Sequence, residues 1–133
     1  MPDPFQFDLV SPERLLMSEQ VSEVVVPGTD GEFTVFINHA PVMSTLRPGI
    51  LRIKRDGGED QIFVRGGFAD VNPSGLTILA EEATPMAELK ADALTEHIKR
   101  AEEAVAAAKD ETAKADEALK LDSLKQVQTA IGG

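Results

Sequence analysis

Two histidines, 23 acidic side chains and no cysteine set the chemistry open to this chain. His39 stands in GEFTVFINHAPVMSTLRPG, residues 31–49, after an alternating run and just before Ala40-Pro41. An imidazole there has three uses: general base, metal ligand, or turn residue bonded to nearby backbone. The first two need several polar groups that converge. A zinc site usually takes at least three protein ligands, mostly N or S. The only other imidazole, His97, lies in LTEHIKR with Glu96 and Lys99 close by, in a different half of the chain. It has the setting of a helix-surface residue. The acid pairs Glu81-Glu82 and Glu59-Asp60 have no histidine beside them and read as solvated surface. No HExxH, GxSxG or GxxxxGK[ST] run occurs. PGTDGEF lacks the lysine and following helix of a phosphate loop. VRGGFADV holds its glycines between two strand-like runs, as a tight connection or a bulge does. The expectation is no catalytic, cofactor or metal site. For His39 two roles stay open: a turn residue bonded to nearby backbone, or an exposed loop residue that meets another protein. Asn38 and the extended backbone favoured before Pro41 fit either.

Composition narrows the partners. The net charge of −10 repels the phosphates of nucleic acid and an anionic membrane surface. Six Phe with no Trp or Tyr leave little for an aromatic ligand platform. The absence of cysteine removes disulfides and thiolate chemistry. MPDPFQFDLVSPERLL has no basic start and no long apolar stretch, so no secretory signal is expected. No apolar run approaches the roughly 18–20 residues of a membrane span, so no direct lipid insertion is expected.

The elements that must position these residues fall into two halves. Through residue 85 turn residues recur every 8–12 positions or so: Pro27-Gly28, Asp30-Gly31, Pro48-Gly49, Asp56-Gly57-Gly58, Gly66-Gly67, Pro73-Ser74-Gly75. Between them lie short runs rich in Val, Ile, Leu and Phe. Period-two alternation puts Phe33, Val35 and Ile37 on one strand face, Ile62 and Val64 on another, and Leu76, Ile78 and Ala80 on a third. DGGED predicts a hairpin turn, because Asp-Gly supplies positive φ. The expected product is an antiparallel β-sandwich of eight to ten short strands, over residues 1–85.

Residues 86–133 contain no proline, and no glycine before Gly132-Gly133. Leu94, Ile98, Ala101, Val105 and Ala108 step by 4, 3, 4 and 3, an apolar helix stripe. The stripe loses phase near AKDETAKA. A second stripe runs Leu121, Leu124, Val127 (or Gln128) and Ile131, with Asp110 or Thr112 as its N-cap. This predicts a helical hairpin; one continuous helix is the alternative. Eight of the eighteen residues from Ala101 to Ala118 are alanine, a seam that packs closely but holds weakly.

These residues also carry a resemblance. VVVPGTDGEFTVFINHAPVMSTLRPGILRI, residues 24–53, closely resembles the signature of the epsilon subunits of bacterial F-type ATP synthases. That signature is a strand, a G-x-x-G-E turn, an H-A-P loop, then L-x-P-G and a strand. Here it is supplied by Gly28, Gly31, Glu32, His39, Ala40, Pro41, Leu46, Pro48 and Gly49. GGFADVNPSGLTILAEEA, residues 66–83, is similar to a later stretch of the family, and FDLVSPERLL to its first strand pair.

The resemblance implies a ten-stranded β-sandwich followed by a two-helix antiparallel hairpin. It implies a non-catalytic subunit of the rotating central stalk that binds the gamma subunit and the c-ring and couples proton translocation to ATP synthesis. Glu32, His39, Ala40 and Pro41 become its partner contacts. The C-terminal helices become a regulatory element that reaches the alpha/beta catalytic hexamer and blocks hydrolysis in many members. The implied location is peripheral, on the cytoplasmic side of the bacterial inner membrane.

The chain departs from the family at Ile37-Asn38, where many members have Pro-Gly. It departs again in LKADAL, residues 89–94: Lys90 and Ala93 replace the acid and arginine of the nucleotide-binding members. Two other functions compete: a ligand-binding β-sandwich with a helical appendage, which needs an aromatic platform, and a His39-based hydrolase or metalloenzyme, which needs convergent ligands.

Overall fold

The computed structural model describes residues 3–37 and 40–132. Its strands are β1 (Phe5–Val10), β2 (Leu15–Val21), β3 (Glu23–Gly28), β4 (Gly31–Val35), β5 (Val42–Thr45), β6 (Gly49–Arg55), β7 (Gly58–Asn72) and β8 (Gly75–Pro85). A 3-10 turn at Met86–Glu88 precedes helices α1 (Ala91–Ala107) and α2 (Glu111–Gly132). The chain divides into two compact units, Met1–Pro85 and Met86–Gly133.

In the first unit the strand order is β2-β1-β8-β7-β6-β3-β4, with β5 added on β7. Two long strands explain how this becomes a sandwich. The first part of β7, Gly58–Val64, pairs with β6, and its later part, Phe68–Val71, pairs with β5. β8 runs beside β7 along its length and also pairs with β1 through Gly75–Leu79. Both strands therefore pass from one layer into the other. One layer is β2-β1-β8-β7-β5; the other is β8-β7-β6-β3-β4. Eight continuous strands thus supply ten strand segments, which meets the expected number. The pairings are antiparallel except β1 with β8, which is parallel. That pairing joins two strands far apart in sequence, so no hairpin dictates its direction.

The inward faces follow the alternation. Phe5, Phe7 and Leu9 of β1 are buried, as are Leu76, Ile78 and Ala80 of β8. They share one core with Val24 and Val26 of β3 and Leu51 and Ile53 of β6. Strands distant in the hydrogen-bonded order meet there, so the sheet folds over on itself. Arg55 of β6 closes one side by bridging Glu19 of β2 and Asp60 of β7. Its hydrogen bond to Asp60 raises the guanidinium above the ordinary arginine range. The Asp56-Gly57 turn joins β6 to β7, with φ 92° at Gly57. β4 ends at Val35, so Ile37 packs against the core from a turn rather than from the strand. Phe63 is fully buried beside Ile62 and Val64, and simple alternation fails at that point.

The second unit is a hairpin of two packed helices. Ala108 leaves helical geometry, with ψ 134°. The Oδ1 of Asp110 accepts from the Ala113 N–H at 2.8 Å, and its carbonyl accepts from the Lys114 N–H at 3.0 Å. Asp110 therefore caps α2, and a single continuous helix is not formed. Leu94, Ile98 and Ala101 are buried on α1, and Leu124 and Val127 on α2; Gln128 is exposed.

Candidate functional site

The site begins with a tight hairpin. Thr29-Asp30 connects β3 to β4, and Gly31 takes φ 132°, a value side-chain-bearing residues avoid. The turn is tied to the end of β5. The Thr29 N–H donates to the Thr45 carbonyl at 2.9 Å, the Thr29 hydroxyl to the same carbonyl at 3.0 Å, and the two hydroxyls lie 2.7 Å apart. This clamp sets β4 and β5 on either side of a groove of about 620 Å³. One wall is Asp30, Gly31, Glu32 and Phe33; the other is Val42, Met43, Ser44 and Thr45. Glu32 is exposed on its rim. Met43 is 66% exposed and Val42 41%.

The sequence-derived contacts distribute as follows. Glu32 lines the groove. Ala40 and Pro41 are exposed and lead directly into β5, the opposite wall. Asn38 and His39 lie outside the described residues, so the roles left open for His39 are not resolved by geometry. The sequence reading missed Val42, Met43 and Asp30 as site residues. The available signal was the apolar pair after Pro41, which has no alternation to bury it. At the start of α1, Lys90 occupies the N-cap without a side-chain cap hydrogen bond, and Ala93 is exposed. Among the described residues no group of three His, Asp or Glu is placed to hold a metal.

Exposed apolar side chains beside two carboxylates suit contact with another macromolecule. Fold and site together define a protein-docking subunit: a β-sandwich carrying a helical hairpin. Comparison with known proteins agrees. Residues 4–86 match the ATP synthase delta/epsilon chain beta-sandwich domain. The ATP synthase epsilon chain of Parvibaculum lavamentivorans is 50% identical over 132 residues, covering 98% of this chain and 100% of its own length. That of Mesorhizobium japonicum is 46% identical, covering 98% of each. A chain in the Euglena gracilis mitochondrial ATP synthase structure, described as OSCP/F1/c-ring, superposes with a TM-score of 0.75 at 25% identity, covering 98% of this chain and 83% of that one. The chain belongs to the family of ATP synthase epsilon chains, non-catalytic subunits of that complex.

Proposed function

We propose that the groove end of the sandwich is where this subunit meets its rotor partners, the c-ring and the gamma subunit. Glu32 and the His39-Ala40-Pro41 loop are the contacts, joined by Val42 and Met43. In that role the chain passes torque between ion flow and ATP synthesis and transforms no substrate itself. The helices of residues 86–133 serve as a regulatory unit facing the alpha/beta hexamer. No helix among the described residues is long and apolar enough to cross a membrane. Attachment is therefore read as peripheral, through the c-ring, on the cytoplasmic face of the bacterial inner membrane.

One observation carries the reading: Glu32 and the exposed Val42-Met43 pair, apart in sequence, face one groove. An exposed acid in a turn matters little to folding, whereas reversal of its charge at an interface costs affinity. Glu32→Lys in the full chain is expected to weaken binding to a gamma–c-ring complex by about tenfold or more while leaving the urea midpoint of the free subunit unchanged. Unchanged binding would remove the groove from the interface.

A further inference from the structure

The backbone of the groove carries information beyond its side chains. Among the described residues β4 pairs only with β3, and β5 only with β7. The direction of their remaining groups follows from two bonds. The Pro27 carbonyl accepts from the Arg47 N–H at 3.0 Å, and proline has no N–H. Both polar positions of Pro27 are therefore unavailable to β4. Glu32, its partner in register, must turn its own N–H and C=O away from β3. Antiparallel alternation repeats this at Thr34, opposite Val25. On the other wall, the Thr45 carbonyl points to Thr29 while the Leu46 N–H donates to Gly67. The same alternation turns the backbone of Met43 toward the groove. The groove thus lies between two strand edges with outward peptide groups. Its rim holds the carboxylates of Asp30 and Glu32, and none of its lining residues is basic.

We infer that a partner docks here by strand addition: an extended segment of about four or five residues pairs with the free edge of β4. The proposal rests on the docking role given above and specifies its chemistry. The peptide N–H and C=O groups of Glu32 and Thr34 hold the segment's backbone. A lysine or arginine of the segment faces Asp30 and Glu32, and its alternate apolar side chains cover Phe33 and Val42.

Strand addition leaves an alternating record. The chain, exchanged in deuterated solvent within the gamma–c-ring complex, then quenched and recovered, is to be read amide by amide. Glu32 and Thr34 are expected to exchange about tenfold more slowly than in the free chain, while Gly31 and Phe33, already turned toward β3, change little. Thr34→Pro removes one outward N–H from an edge strand, a position where proline is tolerated. It is expected to weaken assembly about tenfold relative to Thr34→Val, which keeps the N–H. If Glu32→Lys breaks assembly while the Glu32 and Thr34 amides exchange as in the free chain, strand addition falls and side-chain docking stands. If neither Glu32→Lys nor Thr34→Pro affects assembly, the docking role falls as well. Slowing of the same amides in the isolated chain as its concentration rises would name a second copy as the occupant and overturn the proposal.

Discussion

Gly67 has φ 106°, and a methyl group added there would run into the Leu79 carbonyl. Gly57 also has a positive φ, 92°, but open space around it. The pair separates backbone strain from steric collision. Gly57→Ala is expected to cost about 1–2 kcal/mol, the strain alone. Gly67→Ala is expected to cost about 3 kcal/mol or more, because backbone must move to admit the Cβ. Urea unfolding of the two variants measures the difference; equal costs would show that the β7–β8 crossing relaxes freely. The sequence marked both positions, yet it could not tell them apart. Asp56-Gly57 was legible as a hairpin because turn chemistry is local. VRGGFADV reads as a connection or bulge. The chain stays in one strand while it changes layer, so the connection is ruled out, while Gly66 drops out of the β7–β8 pairing and both glycines take positive φ. The reason lies in Leu79, twelve residues away, which no local pattern reveals.

Elements repeat this division between local and distant causes. Alternation in β8 identified its buried face, because one side of that strand meets the core. It failed at Phe63, where both faces of the strand are covered. The break between α1 and α2 was legible in Asp110, whose carboxylate caps the second helix. The stripe on α2 left Val127 and Gln128 open, and packing chose the valine. Ser123 was not anticipated at all. It is 2% exposed, and its hydroxyl finds no hydrogen-bond partner among the described residues. A buried polar group without a partner costs about 1–3 kcal/mol. Ser123→Ala is therefore expected to stabilise the helical hairpin by about 1 kcal/mol, the low end of that range, since a small void remains. Amide exchange along α2 measures it, with slower exchange expected around Leu124 and Val127. Faster exchange would mean that the hydroxyl is held by a bond that Ala cannot replace.

At the scale of the whole molecule, grammar changes once, at Pro85. Before it lie the turns and alternating runs; after it lie Ala, Glu, Lys and Leu without proline. The candidate site was legible only in part. Gly31, Glu32 and the Ala40-Pro41 pair belong to one continuous motif, but the groove depends on β4 and β5 being set side by side by Thr29 and Thr45. That juxtaposition is tertiary, so Val42 and Met43 passed unread. The same division makes a prediction about folding. Every residue of the sandwich core cluster, from Phe5 to Ala80 with Ala83 packed against it, lies before Pro85. β8, which binds both β1 and β7, ends at that proline, so truncation there removes no strand. A domain that keeps its whole core and all its sheet pairings has what cooperative folding requires. We propose that the sandwich folds independently of the helices. A fragment of residues 1–85 is expected to keep a β-type far-UV spectrum and to unfold in urea in a single transition with a slope of about 1 kcal/mol/M, as suits its size. Aggregation, or a broad transition without a folded baseline, would show that the sandwich depends on residues 86–133.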